Sequence, residues 1–121
     1  MSTRDVGRAG EEIAAKYLEK QGAAIIARNF TVRGGEIDLI AEKDDIVHFV
    51  EVKLRKSAAF AQAREFVDYK KQERLKQTAL LYLSQHEENT KQPRFDVIEV
   101  YAPEGMQTKH PEIFHLEDAF A

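Results

Sequence analysis

The sequence of 121 residues contains no cysteine and only 3 prolines. Without cysteine, the chain has neither a disulfide framework nor a cysteine-based zinc site. Its 4 histidines, at positions 48, 86, 110 and 115, do not show the spacing of metal ligands on a shared element, so we expect no histidine metal site. Any metal site in this chain would therefore use oxygen ligands.

Long apolar runs are also missing. The N-terminal stretch MSTRDVGRAGEE is polar, and no apolar segment approaches the length of a membrane span. We therefore expect no signal peptide, no transmembrane helix and no membrane partner, and the lack of cysteine is compatible with a cytoplasmic protein. The length predicts one domain over residues 1–121 with a single core.

Positive charge is concentrated in one block. The net charge of −3 argues against general nucleic-acid binding, but residues 53–76 hold 8 Lys or Arg against 3 Asp or Glu. If these cations lie beside an active site, they would form a basic surface suited to phosphate. The alternative is a solvated helix face of mixed charge.

The stretch GGEIDLIAEKDDIVHFVEVK, residues 34–53, predicts a β-hairpin with strands over 36–42 and 46–54. The short turn between them forces antiparallel pairing. In that register Asp38 faces Val50 or Glu51, and Glu51 and Lys53 share one face because they are two residues apart. Asp38, Glu51 and Lys53 therefore converge on one patch within otherwise apolar strands.

Buried charges need a partner or a metal ion. Two adjacent carboxylates, without sulfur or imidazole, favour Mg²⁺ or Mn²⁺, which can activate a water toward a phosphodiester. Lys53 would orient or deprotonate that water, or stabilise the charge at phosphorus. The alternative interpretation is a structural Asp–Lys–Glu ion network.

The remaining elements complete a mixed α/β fold. Periodicity predicts a helix over 5–21, a strand over 23–30, a second helix over 65–86 and a strand over 94–101. The order αβββαβ gives a mixed sheet flanked by helices, with the site opening at a sheet edge near the first helix. We expect Asp96 to face solvent. Apolar side chains predicted to pack are Phe66, Tyr69, Leu75, Ala79, Tyr82 and Leu83 of the second helix and Ile113, Phe114, Leu116 and Phe120 of the tail.

The order of Asp38 followed by Glu51-Val52-Lys53 resembles the PD-(D/E)xK nuclease superfamily, which has a restriction-endonuclease-like core. More narrowly, the chain resembles the bacterial YraN-type uncharacterised family. The segments that carry this resemblance are GRAGEEIAAKYLEKQGAAIIARN, GGEIDLIAEKDD, FVEVKLRKS, the KKQERL helix and RFDVIEV, in that order. The layout is similar to that of archaeal Holliday-junction resolvases.

The resemblance implies roles for individual residues. Asp38 and Glu51 match the metal-binding carboxylates, Lys53 the active-site lysine and Glu11 the helix glutamate of the resolvase-like branch, which also assists the metal. Ile37 stands where the superfamily motif has proline. Gln72 matches a supporting polar position in some relatives.

The resemblance implies a Mg²⁺- or Mn²⁺-dependent endonuclease that hydrolyses DNA, including branched recombination and repair intermediates. A junction-cutting enzyme needs two symmetric sites and hence a homodimer. The alternative is a catalytically silent module that binds nucleic acid or protein on a nuclease fold. Further candidate substrate contacts are Arg55, Lys56, Lys70, Lys71 and Arg74, with Gln72.

Overall fold

The structure is a computed structural model that describes residues 3–55, 68–104 and 107–120, with side chains described from residue 8 onward. Within these ranges two helices and five strands follow one another in the chain. They are α1 (Thr3–Lys20), β1 (Ala24–Val32), β2 (Gly35–Lys43), β3 (Ile46–Arg55), α2 (Tyr69–Ser84), β4 (Gln92–Tyr101) and β5 (Glu112–Leu116).

The five strands form one mixed sheet in the order β1-β2-β3-β4-β5. Strands β1, β2 and β3 pair antiparallel through tight turns, as the short connections require. Strand β4 pairs with β3 in parallel, and β5 pairs with β4 antiparallel. The predicted mixed α/β class and the predicted placement of the hairpin between the first strand and β4 are therefore confirmed.

Each helix covers one face of this sheet. Ala14, Ala15 and Leu18 of α1 pack on one face, against a cluster that includes Leu39 and Val50. On the other face the α2 residues Leu75, Ala79 and Tyr82 pack against Ile37, Ile40, Val47, Phe49 and Val97. Because both faces are covered, the central strands are apolar on both sides, as expected from the sequence.

Some element boundaries differ from the sequence prediction. Helix α2 begins at Tyr69 rather than at residue 65, because Asp68 is extended and caps the helix by accepting the Lys71 N–H. Strand β1 runs to Val32 instead of ending at residue 30. The tail, predicted only to pack on the body, contributes β5, so the observed order is αβββαββ.

Two aromatic residues predicted to pack against the body are instead exposed. Tyr69 is 72% exposed at the start of α2, and Phe114 is 61% exposed on β5. Phe114 lies on the edge strand of the sheet, with β4 on one side only, which explains its exposure. In contrast, Leu83, Ile113, Leu116 and Phe120 are partly buried against the two clusters, as predicted. Phe66 lies outside the described residues. Neither described helix is long and apolar enough to cross a membrane.

Candidate functional site

The backbone pairing between β2 and β3 gives way to a side-chain hydrogen bond next to Asp38. The paired positions run from Lys43 with Ile46 up to Leu39 with Val50. Asp38 is the next residue, and its Oδ2 atom accepts a hydrogen bond from the Val52 N–H at 2.8 Å. A carboxylate therefore satisfies a strand N–H that a backbone carbonyl would otherwise bind, and this bond fixes the orientation of Asp38.

Glu51 lies beside Asp38, as the predicted register requires. Its side chain is only 9% exposed. The Oε1 atom of Glu51 lies 2.5 Å from the Lys71 Nζ and 3.5 Å from the Lys53 Nζ. The structure thus brings Asp38, Glu51 and Lys53 together, and it adds Lys71 from α2 to the same group.

A small cleft of about 150 Å³ opens between the hairpin and α2. It is lined by Gly35, Glu36, Asp38, Glu51, Lys71, Arg74 and Leu75. The described lining of this cleft comes from the hairpin and α2 and includes no residue of α1, although the charge of Glu11 on α1 acts on Asp38. The cleft faces α2 because Asp38 and Glu51 lie at the end of the hairpin against which the first turns of that helix dock.

The close approach of α2 to β2 depends on Gly35. A Cβ atom at this position would lie 2.0 Å from the Thr78 Oγ1 and 3.4 Å from the Arg74 carbonyl oxygen. Thr78 cannot easily move, because its hydroxyl donates to that carbonyl at 2.7 Å. The absence of a side chain at Gly35 therefore sets the width of the cleft.

The electrostatics of Asp38 are unusual. Burial and then repulsion from Glu51 raise the pKa of Asp38 to about 7, although the hydrogen bond from the Val52 N–H acts in the opposite direction. The charges of Glu11 and Glu36 raise this pKa further. A carboxylate in such surroundings gains from a nearby cation, because a positive charge relieves the repulsion between the acidic groups.

The two lysines that contact Glu51 differ from each other. Burial lowers the pKa of Lys53, and its contact with Lys71 lowers it further. Burial also lowers the pKa of Lys71, but the hydrogen bond and the charge of Glu51 outweigh that effect and leave it raised. Lys71 is therefore the firmly charged partner of Glu51, and Lys53 is the more readily deprotonated amine.

Glu11 and Glu36 belong to the acidic surroundings of the site in different ways. Burial raises the pKa of Glu11, a hydrogen bond with Asn29 lowers it, and the charges of Glu36 and Glu51 raise it. Glu11 is thus within electrostatic range of Glu51, but it does not line the cleft, whereas Glu36 does. Sequence reasoning missed Glu36, although its position two residues before Asp38 on one strand was the available signal.

The predicted substrate contacts lie in different environments. Arg74 lines the cleft and is exposed, and Lys70, which lies earlier on the same helix, is also exposed. Gln72 is half-buried. The Arg55 Nε lies 4.0 Å from the buried Glu99 carboxylate, so this side chain faces an acidic partner on β4. Lys56 lies outside the described residues.

Comparison with known proteins identifies the relatives of this chain. The profile of the uncharacterised protein family UPF0102 matches residues 10–100. The chain belongs to this family. A UPF0102 protein of Syntrophomonas wolfei is 42% identical over 117 residues, covering 97% of this chain and 98% of the relative. A UPF0102 protein of Myxococcus xanthus is 45% identical over 117 residues, covering 97% of this chain and 90% of the relative. The sequence motifs thus indicated an uncharacterised bacterial family correctly.

The carboxylate oxygens in the cleft of this UPF0102 protein are ligands that suit a hard divalent cation. Asp38 and Glu51 supply oxygen ligands on one cleft, and Mg²⁺ commonly binds one or two carboxylates while it keeps water and substrate phosphate as its other ligands. Among the described residues, no group of three or more His, Asp or Glu is arranged to hold a metal by itself. A cation would therefore bind through two carboxylates and external oxygens.

A second group of charged residues in the UPF0102 chain is buried away from this cleft. Asp96 is 1% exposed, so the expectation that it faces solvent is wrong. Its Oδ2 accepts hydrogen bonds from the His48 Nδ1 and the His115 Nε2, both at 2.8 Å, and its Oδ1 accepts from the Asp118 N–H at 3.0 Å. The Tyr17 hydroxyl lies 3.0 Å from the His115 Nδ1.

This Asp96 network connects β3, β4, β5 and α1 through one carboxylate. Burial alone would raise the pKa of Asp96, but the hydrogen bonds from His115, His48 and the Asp118 N–H hold it well below its usual range. An ionised carboxylate only accepts hydrogen bonds, so both imidazole nitrogens that face it donate. We interpret this group as a structural tie between the sheet and α1.

Proposed function

We propose that this protein is a metal-dependent endonuclease that hydrolyses phosphodiester bonds of DNA, on a restriction-endonuclease-like fold. The observation that carries the proposal is the position of Asp38 and Glu51 in one cleft beside α2, with the Lys53 Nζ 3.5 Å from the Glu51 Oε1. The order of these residues on a hairpin, noted in the sequence, supports the same chemistry.

In this proposal Asp38 and Glu51 hold Mg²⁺ or Mn²⁺, and Glu11 adds negative charge nearby. When bound, the cation polarises the phosphodiester and activates a water. The Val52 N–H keeps the Asp38 carboxylate pointed into the cleft. Preorganisation of this kind reduces the reorganisation that the reaction requires.

Lys53 has the role of handling the attacking water. Its lowered pKa makes the neutral amine accessible, so it can accept the proton that water loses when it attacks phosphorus. The bond between phosphorus and the leaving sugar oxygen then breaks, and that oxygen takes a proton from solvent. As an ammonium, Lys53 instead stabilises the negative charge on the phosphoryl oxygens.

The cations of α2 suit the approach of the nucleic acid. Arg74 lines the cleft, and Lys70 and Lys71 precede it on the same helix. Contacts from such side chains to phosphate position the backbone without reading base sequence, and they weaken as salt increases. We infer a DNA substrate bound by its backbone, and for branched DNA a homodimer that presents two cleavage sites.

The test is a panel of single-stranded, duplex, flapped and four-way-junction DNA, each incubated with Mg²⁺, Mn²⁺ or EDTA. We expect cleavage of at least one substrate that depends on the metal and decreases with salt. Equal cleavage in EDTA, or no cleavage of any substrate at any protein concentration, would contradict the proposal. An RNA panel run in parallel tests the choice of DNA.

A second candidate is a catalytically silent binding module. The observation that favours it is the ion pair between Lys71 and Glu51, since an ammonium already neutralises one of the two carboxylates. This candidate predicts salt-dependent binding of DNA whose affinity does not change with Mn²⁺ and which is never followed by cleavage.

A further inference from the structure

The Oε1 atom of Glu51 is in contact with two ammonium groups from different elements. Lys71 reaches it from α2 at 2.5 Å, while Lys53 reaches it from the same strand at 3.5 Å. Lys71 also lines the cleft, together with Asp38 and Glu51. A positive charge from α2 therefore lies where a divalent cation would bind.

The backbone of Lys71 is held firmly at this position. Its N–H donates to the Asp68 Oδ1 at 2.8 Å, which caps α2. About two helical turns after Lys71, the contact of Gly35 with Thr78 sets the distance between α2 and β2. The start of α2 is thus fixed relative to Glu51, and the lysine reaches the carboxylate without movement of the helix.

The side chain of Lys71, in contrast, has room to move. It is 31% exposed, and a lysine has a long flexible stem that lets its ammonium choose between partners. Within the cleft the other described cation is Arg74, so a phosphate that enters would meet Lys71 and Arg74 together. Phosphate and Glu51 are therefore competing anionic partners for the same ammonium.

We propose that Lys71 is a resident cation that holds Glu51 in the free protein and transfers its contact to a backbone phosphate when DNA and a divalent cation bind. This inference rests on the proposed function, because it assigns a regulatory role to a residue of the same site. Lys71 opposes the entry of metal into the free protein, through repulsion and through its occupation of Glu51. When phosphate attracts Lys71 away, Glu51 becomes available and the repulsion decreases.

The consequence is a reciprocal coupling between two ligands. If DNA increases the affinity for the metal, the metal must increase the affinity for DNA by the same factor. The free protein would then bind metal weakly and acquire it together with its substrate. Lys71 would be a positioning residue, since its effect on the metal acts through Glu51.

Calorimetric titration of Mn²⁺ tests this inference without any measurement of cleavage. We expect Lys71→Gln to bind Mn²⁺ about tenfold more tightly than the wild type, a factor typical of coupling between sites. Lys71→Arg keeps the charge and should retain weak binding. Lys76→Gln is the matched control, because Lys76 lies on the same helix and pairs with Glu73 rather than with Glu51.

The second arm repeats the titration with a duplex oligonucleotide whose phosphorothioate linkages slow cleavage. DNA should increase the Mn²⁺ affinity of the wild type and of Lys76→Gln, and it should have little effect on Lys71→Gln. Thermal unfolding of each variant in EDTA verifies that the proteins compared are folded.

The outcomes separate this inference from the proposed function. If Asp38→Asn abolishes Mn²⁺ binding while Lys71→Gln binds as weakly as the wild type, or more weakly, the role of Lys71 is overturned and the metal site stands. If neither the wild type nor Lys71→Gln binds Mn²⁺, with or without DNA, both the metal site and the inference are overturned.

Discussion

The Asp38 carboxylate accepts a hydrogen bond from the Val52 N–H at 2.8 Å, across the end of the hairpin ladder. Through this bond the Asp38 side chain on β2 takes the place of the backbone carbonyl that would otherwise accept from the Val52 N–H on β3. It also brings Asp38 next to Glu51, which precedes Val52 in the chain. The repulsion and burial that result raise the pKa of Asp38 to about 7.

The first prediction concerns the pH dependence of stability. Asp38 has a raised pKa in the folded state, so the folded protein binds its proton more tightly than the unfolded chain does. Its contribution to stability is therefore complete below about pH 4, decreases as pH rises and is lost above about pH 7. Asp38→Asn removes this decrease and keeps an oxygen that accepts from the Val52 N–H.

We expect Asp38→Asn to be more stable than the wild type at pH 8 without metal, by about 2 kcal/mol after allowance for solvent screening. The measurement is urea unfolding at intervals from pH 4 to pH 8. Asp45→Asn, at an exposed position in the hairpin turn, is the matched control and should follow the wild type. A variant that is less stable at pH 8, with an unchanged pH slope, would refute the assignment.

The second prediction concerns the buried Asp96 network. Asp96→Asn replaces one of the two carboxylate oxygens with an amide NH₂, which donates instead of accepting. Buried donors that face the carboxylate, on His48 and His115 or on the Asp118 backbone, then lose their acceptor. The expected loss is about 3 kcal/mol at pH 7. Asp118→Asn is the control, because only the backbone N–H of Asp118 contacts Asp96.

The pH dependence of this loss has a definite sign. The pKa of Asp96 is lowered in the folded state, so its stabilising contribution is present above its unfolded pKa near 4 and is lost as pH falls below that value. The difference between wild type and Asp96→Asn should therefore decrease in acid. Equal stability of the two proteins at pH 7 would show that the network does not stabilise the fold.

The third prediction concerns the contact between β2 and α2. Gly35→Ala places a methyl group 2.0 Å from the Thr78 Oγ1, so α2 must move away from the hairpin. We expect a loss of about 2 kcal/mol and a weaker Lys71–Glu51 contact, measured by unfolding and by the Mn²⁺ titration. Thr78→Ala alone is the control. The double variant should recover part of the loss, since removal of Oγ1 leaves the nearest described atoms beyond 3 Å. Additive losses would contradict a direct clash.

The hairpin is the part of the site that the sequence could predict. Turn length and strand period place Asp38, Glu51 and Lys53 together, and the pairing of Leu39 with Val50 agrees with the expected register. These rules are local, because they depend only on residues close together in the chain. These rules do not predict the hydrogen bond from the Val52 N–H, because there the Asp38 side chain replaces a backbone acceptor.

The contacts made by α2 could not be predicted in the same way. The ion pair of Lys71 with Glu51 depends on how closely the helix docks, which Gly35 and Thr78 determine through tertiary contact. The sequence does carry a signal for the burial of Asp96. The run from Val97 to Val100 is largely apolar on both faces, which indicates that polar residues of that strand are covered as well.

The sequence does not predict strand β5, because this segment is short and follows prolines.

DNA cleavage by Lys53→Gln in Mn²⁺ measures the part that Lys53 takes in hydrolysis. We expect at least a 100-fold loss of cleavage rate relative to the wild type, because the group that handles the attacking water is removed. Mn²⁺ binding should persist in this variant, since Asp38 and Glu51 remain. Lys20→Gln, an exposed lysine at the end of α1, is the matched control and should cleave at the wild-type rate. Cleavage by Lys53→Gln at the wild-type rate would contradict a role of Lys53 in hydrolysis.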